Sequence, residues 1–494
     1  MKEAGRVVVI GTGPAGAVAA LFLSRAGLEP LVLEAGSGQV DLGLTARIRG
    51  VTLAKWKPKL ELRQDLTNTG DPAAMLFEKL APGGLSNHWA CAVPRFAPDD
   101  FTDAARGGEA YTWPVDYQTL APWYARVEPL LRVAGSPRDT ASLPACRVTS
   151  PQSLGAEWDA VTQRAAERGR DVVPMPYAYG AETTLTRSAT PFNAFTRLVA
   201  PAAHAGGLSV RFDALALRLE WSPAERRVSA VICRNPRTGA EDRIPCRAVV
   251  LAAGAVNSAQ ILLESRSAEL PNGIGNEAGL VGKYLHDHPL AKLVLKLGRQ
   301  IPISPASYIT RPPLARSEPL YAAAFMQWSG AVAHARSVLG GHPGRTTDLG
   351  YSIFGTMIPT PEDCVTLLPG ARPGERSRIG FALRYPRQAV ELLESARDEL
   401  LAMLSEAGWE PRVDVFRVEP PGNSVHYGGT CRMHASPKYG VVDPFCRVFG
   451  VRNVVVADSA VFTTGPEKNP VLTAMTLAAR ASERLADDLR AGDA

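Results

Sequence analysis

His426, in HYGGT, and Asn469, in KNP, carry side chains that could work on a single hydroxyl group. An imidazole poised near neutral pH can take the proton while a carboxamide holds the oxygen, and general-base help of this kind is typically worth about 10² to 10⁴ in rate. Oxidising that carbon also requires a hydride acceptor, which no side chain provides, so a redox cofactor has to stand beside the pair. Near the opposite end of the chain, GTGPAG at Gly11 to Gly16 offers a place for the pyrophosphate of a dinucleotide.

The elements that would position these residues are legible around them. Arg6 to Ile10 reads as a short buried strand and Ala15 to Ala26 as an apolar helix, with the glycine turn between them. Gly11 permits the tight turn, Gly13 removes a side chain where the pyrophosphate approaches, and Gly16 lets helix and strand pack closely. The helix N-terminus at Ala15, just after Pro14, faces the phosphates with free amides. A second strand, Pro30 to Glu34, ends in a carboxylate placed beside a ribose hydroxyl, with Ala35 next to it, and an acidic residue there argues against a 2′-phosphate. This motif alone does not separate NAD from FAD. At the other end, Pro470 begins a helix through Thr473 to Arg480, where a missing amide donor costs nothing. Taken singly, a capping asparagine and a buried, satisfied histidine would explain Asn469 and His426; the paired motifs favour catalysis.

Composition narrows the classes. A chain of 494 residues, 46% hydrophobic and 21% charged, is folded and divides into two or three units. Lys plus Arg is 54 against Asp plus Glu 49, a net +5 with no long run of like charge, which is a poor footprint for nucleic acid. The apolar N-terminal run is interrupted by Gly11, Gly13, Pro14 and Gly16, so strand, turn and helix explain it better than a signal peptide, and no membrane span is expected. Seven dispersed cysteines fit free thiols in a reducing cytoplasm. His286 and His288, in HDHP, lack further ligands at metal spacing and are expected to pack or face solvent.

Three further segments point to flavin. Residues 81–96 read APGGLSNHWACAVPRF, residues 249–263 read VVLAAGAVNSAQILL, and the block from 424 to 480 contains HYGGT, VVVADSAVF and KNPVLT. Together they resemble the glucose-methanol-choline oxidoreductases over most of the chain, and within that family the pyranose-oxidase-like members. The resemblance implies FAD, with Gly84, Ser86, Asn87, His88, Trp89 and Ala90 lining the flavin, Ala253 and Gly254 in a cofactor-side turn with Asn257 and Ser258 near it, Ala216 near the adenine, and Asp458 at the ribityl or pyrophosphate part. It implies His426 as base and Asn469 as its partner, with Pro470 at the flavin end of its helix. It also implies a covalent bond from His88 to the flavin, against the alternative that His88 only packs there. Asn87 and Ala90 depart from the threonines of those members, and an alanine at 90 offers no hydroxyl beside the flavin nitrogen-5, which favours a quinone-type acceptor or a slow reaction with oxygen. His434 replaces a glycine usual after Arg432 and Met433.

The fold expected is α/β: a Rossmann-like FAD-binding domain with an α+β substrate domain built on an antiparallel sheet. Residues 1–288, with insertions at about 38–80 and 105–200, and residues 419–494 would form the first, and residues 289–418 the second. Alternating stretches such as AKLVLKLG read as strands, and Arg387 to Ala407 as a helix with charges on one face. Tyr308, Phe325 and Trp328 are candidates to stack on a sugar ring, with core packing the plainer alternative. The activity expected is oxidation of a secondary hydroxyl of a pyranose or glycoside. Alternatives are an aminoglycoside or other natural-product hydroxyl, a hydroxynitrile lyase that binds FAD without redox use, and a nicotinamide dehydrogenase. Oligomeric state is not legible.

Overall fold

Val7–Ile10 is buried along its whole length because it lies at the centre of a five-stranded parallel sheet, in the order Val454–Val456, Ala248–Leu251, Val7–Ile10, Leu31–Leu33, Ser209–Arg211. Strands covered on both faces are written as uninterrupted apolar runs, and VVVI, AVVL and VVV are of that kind. The computed structural model describes residues 5–38, 61–63, 65–178, 192–314, 321–327, 344–369 and 376–493. The helix Pro14–Arg25 packs on this sheet and against the C-terminal helix Val471–Ala491, so the two ends of the chain meet in one core.

The stretch Leu208 to Leu219, expected as one strand, is two. Ser209–Arg211 ends the parallel sheet and Leu215–Ser222 opens a three-stranded antiparallel one, because the chain turns at Asp213, whose φ is 51°. Asp213 tolerates this left-handed conformation better than a branched residue would, and its carboxylate is fixed by Arg237 at 2.9 Å.

A six-stranded antiparallel sheet forms the second body. Its order is Pro411–Val418, Leu290–Pro302, Arg345–Gly355, Ala323–Gln327, Ser307–Ile309, Val172–Pro174, so its last strand comes from outside residues 289–418. The helix Arg387–Glu406 covers one face, burying Ala389, Leu393, Ala396, Leu400 and Met403 while its charges face outward. Phe325 lies in this core and Tyr308 in a neighbouring cluster with Met326 and Phe354, so both are packing residues; Trp328 lies outside the described residues.

Candidate active site

A cavity of about 460 Å³ runs between the two bodies, lined at one end by the glycine turn and at the other by His426 and Asn469. Gly11, Gly13, Pro14 and Ala15 line the first end with Glu34, Ala35, Gly84, Ala216, Ala253, Gly254 and Asp458. A Cβ on Gly13 would meet nothing within 4 Å, whereas one on Gly11, at φ 104°, would meet the carbonyl oxygen of Ala252 at 2.4 Å. Gly13 therefore keeps the cavity open and Gly11 lets two strand ends approach. Gly16 lies behind the wall: a Cβ there would sit 2.2 Å from the Gly11 oxygen. No side chain caps the helix Pro14–Arg25, which leaves its first amides for an anion. These features fit a dinucleotide.

The carboxylates at this end are also tied into the protein. Glu34 accepts from Thr12 Oγ1 and from the Gly36 amide at 2.8 Å, and burial raises its pKa. Asp458 accepts from Gly254 N at 2.9 Å, Ser258 Oγ at 2.6 Å and Ala460 N at 2.8 Å, which joins the edge strand Val454–Val456 to the start of the helix Ala255–Glu264. Arg63 and Arg376, absent from the sequence reading, line the cavity and converge on Asn257 and Gln260.

Ser86, His88, Trp89 and Ala90 line the cavity, but Asn87 does not. Its amide nitrogen donates to Gly84 O at 2.7 Å and Pro82 O at 3.1 Å, and its oxygen accepts from Asn193 at 2.9 Å. Asn87 therefore holds the loop together.

At the other end, His426 Nε2 lies 3.1 Å from Asn469 Nδ2 and its Nδ1 lies 3.1 Å from Nδ1 of His288. With the Asn469 amide donating, Nε2 is the unprotonated nitrogen and Nδ1 carries the proton that it gives to His288. The ring also packs at 5.4 Å on Phe354. Burial, and then the Lys292 charge, push the His426 pKa down to about 3, so the imidazole rests neutral. Burial likewise holds His288 well below the ordinary histidine value.

The backbone before His426 is held under tension. Val425 adopts φ 60°, a poor region for a β-branched residue, costing of order 1–3 kcal/mol. Asp287 accepts from amides on both sides of it, Ser424 N at 3.1 Å and His426 N at 2.6 Å, and also from Ser424 Oγ. Burial raises the Asp287 pKa to about 6, against the lowering effect of these donors. His286 fills the space beside the HYGGT glycines: a Cβ on Gly428 would lie 2.5 Å from its Nε2. HDHP is thus not a surface loop. Its three titratable residues are buried beside the HYGGT segment. The signal was the spacing itself, three polar residues entering a strand, but nothing local showed which distant residue they would meet. His434 is a latch, its Nε2 facing Glu109 O at 3.0 Å and its Nδ1 accepting from Ser436 N at 3.0 Å.

Two family models described as GMC oxidoreductase match residues 108–290 and 386–478, and one described as FAD binding domain matches residues 5–55. The chain belongs to the GMC oxidoreductases. A 2-methyl-1,2-propanediol dehydrogenase of Mycolicibacterium austroafricanum is 26% identical over 97% of this chain and 94% of its own. A 6‴-hydroxyparomomycin C oxidase of Streptomyces lividus is 26% identical over 98% of this chain and 92% of its own. Among solved structures, a pyridoxine 4-oxidase superposes with a TM-score of 0.66 at 17% identity, covering 97% of this chain and 99% of that one, which shows a shared fold.

This GMC oxidoreductase is an FAD enzyme acting on CH–OH groups. Among its described residues no helix is long and apolar enough to cross a membrane, and no group of three or more His, Cys, Asp or Glu is placed to hold a metal ion.

Proposed function

We propose that this GMC oxidoreductase oxidises a secondary hydroxyl of a pyranose or glycoside, with His426 as the base and Asn469 as the group that orients the substrate oxygen. The observation that carries this assignment is the 3.1 Å contact between His426 Nε2 and Asn469 Nδ2 at the end of a cavity that begins at the dinucleotide turn. A substrate hydroxyl entering there can donate to Nε2 while its oxygen accepts from the amide. FAD, when bound, supplies the hydride acceptor at nitrogen-5. Ser86, His88, Trp89 and Ala90 would contact the flavin, with Gly11, Gly13, Glu34, Gly254 and Asp458 toward the rest of the cofactor, and the protein would divide at residues 289–418 into substrate and cofactor units.

Ala90 brings no hydroxyl to the flavin site, which favours a quinone-type acceptor or slow use of oxygen. The free cysteines favour a cytoplasmic location. A second substrate reading, an aminoglycoside hydroxyl, draws on the name of the Streptomyces lividus relative.

Anaerobic titration of the purified holoenzyme with monosaccharides, glycosides and aminoglycosides tests the assignment through the visible flavin band. Bleaching by a pyranose is the expected result, and a band that no alcohol bleaches contradicts it. Acid precipitation then separates the two roles of His88, since a covalent flavin stays with the pellet and disappears in His88→Ala.

A further inference from the structure

Asn469 is preceded in the chain by two charged residues, Glu467 and Lys468, both buried. The Lys468 ammonium lies 2.7 Å from Glu467 Oε1 and 2.7 Å from Asp100 Oδ2. Asp100 belongs to the short helix Pro98–Thr102, whose Phe101 packs in the core of the parallel sheet, and it also accepts from the Ala97 amide at 2.7 Å. Arg311, two residues past the strand Ser307–Ile309 of the six-stranded sheet, closes the cluster from the other side. Its guanidinium lies 3.5 Å from Asp100, 3.1 Å from Asp103 and 3.6 Å from Glu467. Just before these residues, Gly465 and Met357 exchange backbone hydrogen bonds at 3.1 and 2.7 Å.

A buried charge stays where its partners are, because separating it from them costs far more than the pair itself is worth. Glu467 and Lys468 are consecutive and both anchored, so the backbone leading into Asn469 is fixed on that side. On the other side Pro470 runs directly into the helix Val471–Ala491. Apolar residues of similar volume hold a fold as well as a buried ion cluster does, so stability alone does not call for these charges. What the cluster adds is direction: an ammonium has to point at its carboxylates, whereas an apolar side chain can settle in several rotamers. We propose that Lys468 is a positioning residue for Asn469. With Glu467, Asp100 and Arg311 it sets the backbone that carries the carboxamide, and so holds Asn469 Nδ2 at 3.1 Å from His426 Nε2. The contact thereby depends on both bodies, since Arg311 comes from one and Asp100 from the other. The inference rests on the reading of Asn469 as the orienting group only for its effect on rate; the placement does not.

The pair variant Glu467→Gln with Lys468→Met removes one anion and one cation together and keeps the balance of charge. In crystals of its FAD-loaded form the separation between Asn469 and His426 should exceed about 3.5 Å, beyond hydrogen-bond reach. Anaerobic stopped-flow reduction by methyl α-D-glucopyranoside reads the consequence: the variant should be at least about tenfold slower than the wild type, as misplacement of a reacting group implies. Lys468→Arg, which keeps the charge, should lose less. The same pair change made in Asn469→Ala should bring no further loss, because a residue acting through Asn469 has nothing left to act on. An unchanged separation, or equal losses with and without Asn469, overturns the inference. If the pair variant does not fold, Arg311→Met with Asp103→Asn, which takes one cation and one anion from the other side of the cluster, is judged by the same separation. Should the glycoside leave even the wild-type flavin oxidised, oxidation of that sugar fails, while the separation in the crystal still decides the placement.

Discussion

The Nδ1 atoms of His288 and His426 face each other at 3.1 Å, so a residue just before the strand Leu290–Pro302 fixes the tautomer of a histidine carried by a C-terminal loop. Two neutral imidazoles can share only one proton in such a contact. With His288 accepting, Nε2 of His426 keeps its lone pair, as the proposed base requires.

His288 is therefore a positioning residue. His288→Phe should lower the rate of anaerobic flavin reduction by about 2- to 10-fold, the worth of one hydrogen bond of about 0.5–1.5 kcal/mol. His288→Asn, which can still accept, should recover part of the loss. His426→Ala should cost about 10² to 10⁴ in the same stopped-flow measurement. Undiminished reduction in His426→Ala at neutral pH would reject the base assignment, and a His288→Asn variant no better than His288→Phe would reject the tautomer argument.

Asp287→Ala should leave the Ser424 and His426 amides without their acceptor and the Val425 turn without its clamp. An unsatisfied buried donor costs about 1–3 kcal/mol, so a clear fall in denaturation midpoint is expected together with a slower reductive half-reaction. A variant with wild-type midpoint and rate would show that the strained turn holds itself.

Gly13→Ala and Gly16→Ala should fail in different ways. The Gly13 methyl points into open cavity, so the protein should fold and lose FAD, visible as a colourless, cooperatively unfolding product. The Gly16 methyl would strike the Gly11 carbonyl, and overpacking of this kind costs about 1–3 kcal/mol in the fold itself. Tight FAD retention in Gly13→Ala would remove that glycine from the cofactor site.

Acid should destabilise the fold well before the ordinary carboxylates titrate. His286 is pushed down to about 4 and His426 to about 3 by burial, and His288 lies well below its ordinary value. For these lowered groups the unfolded chain takes up protons below about pH 6.5 while the folded chain does not, so stability present above that pH is lost as pH falls. Each contributes a slope of about 1.4 kcal/mol per pH unit. Asp287, raised to about 6, acts in the opposite sense, protecting the fold below its unfolded value and losing that contribution as pH rises through 6. Glu34 and Asp458, also raised by burial, act in the same sense as Asp287; around His426 itself three lowered histidines stand against one raised carboxylate, so urea midpoints should fall between pH 7 and pH 5. A flat or rising midpoint over that range would contradict the burial of the three rings.

The cofactor end was legible in the chain because its determinants are contiguous: strand, glycine turn, helix and acidic strand end follow one another in residues 6–34, and local sterics dictate each. His426 and Asn469 were legible as types at recognisable positions. The partners of His426 were not, because HDHP is some 140 residues from HYGGT and the ladder that delivers it is long-range. For the same reason the partners of Asn87 were not legible: its bonds to Asn193 and two carbonyls turn its side chain into the loop, off the cavity lining. Lys292 reads in sequence as an ordinary polar position of an alternating strand, and only the register against Ser352 and the placement of that sheet beside His426 make it part of the cavity wall. Sequence by itself thus determined the dinucleotide turn, the family and the chemical types at the site. Tertiary structure decided the tautomer of His426, the clamp on Val425 and which sheet residues line the cavity, because these depend on distances between segments that no local propensity controls.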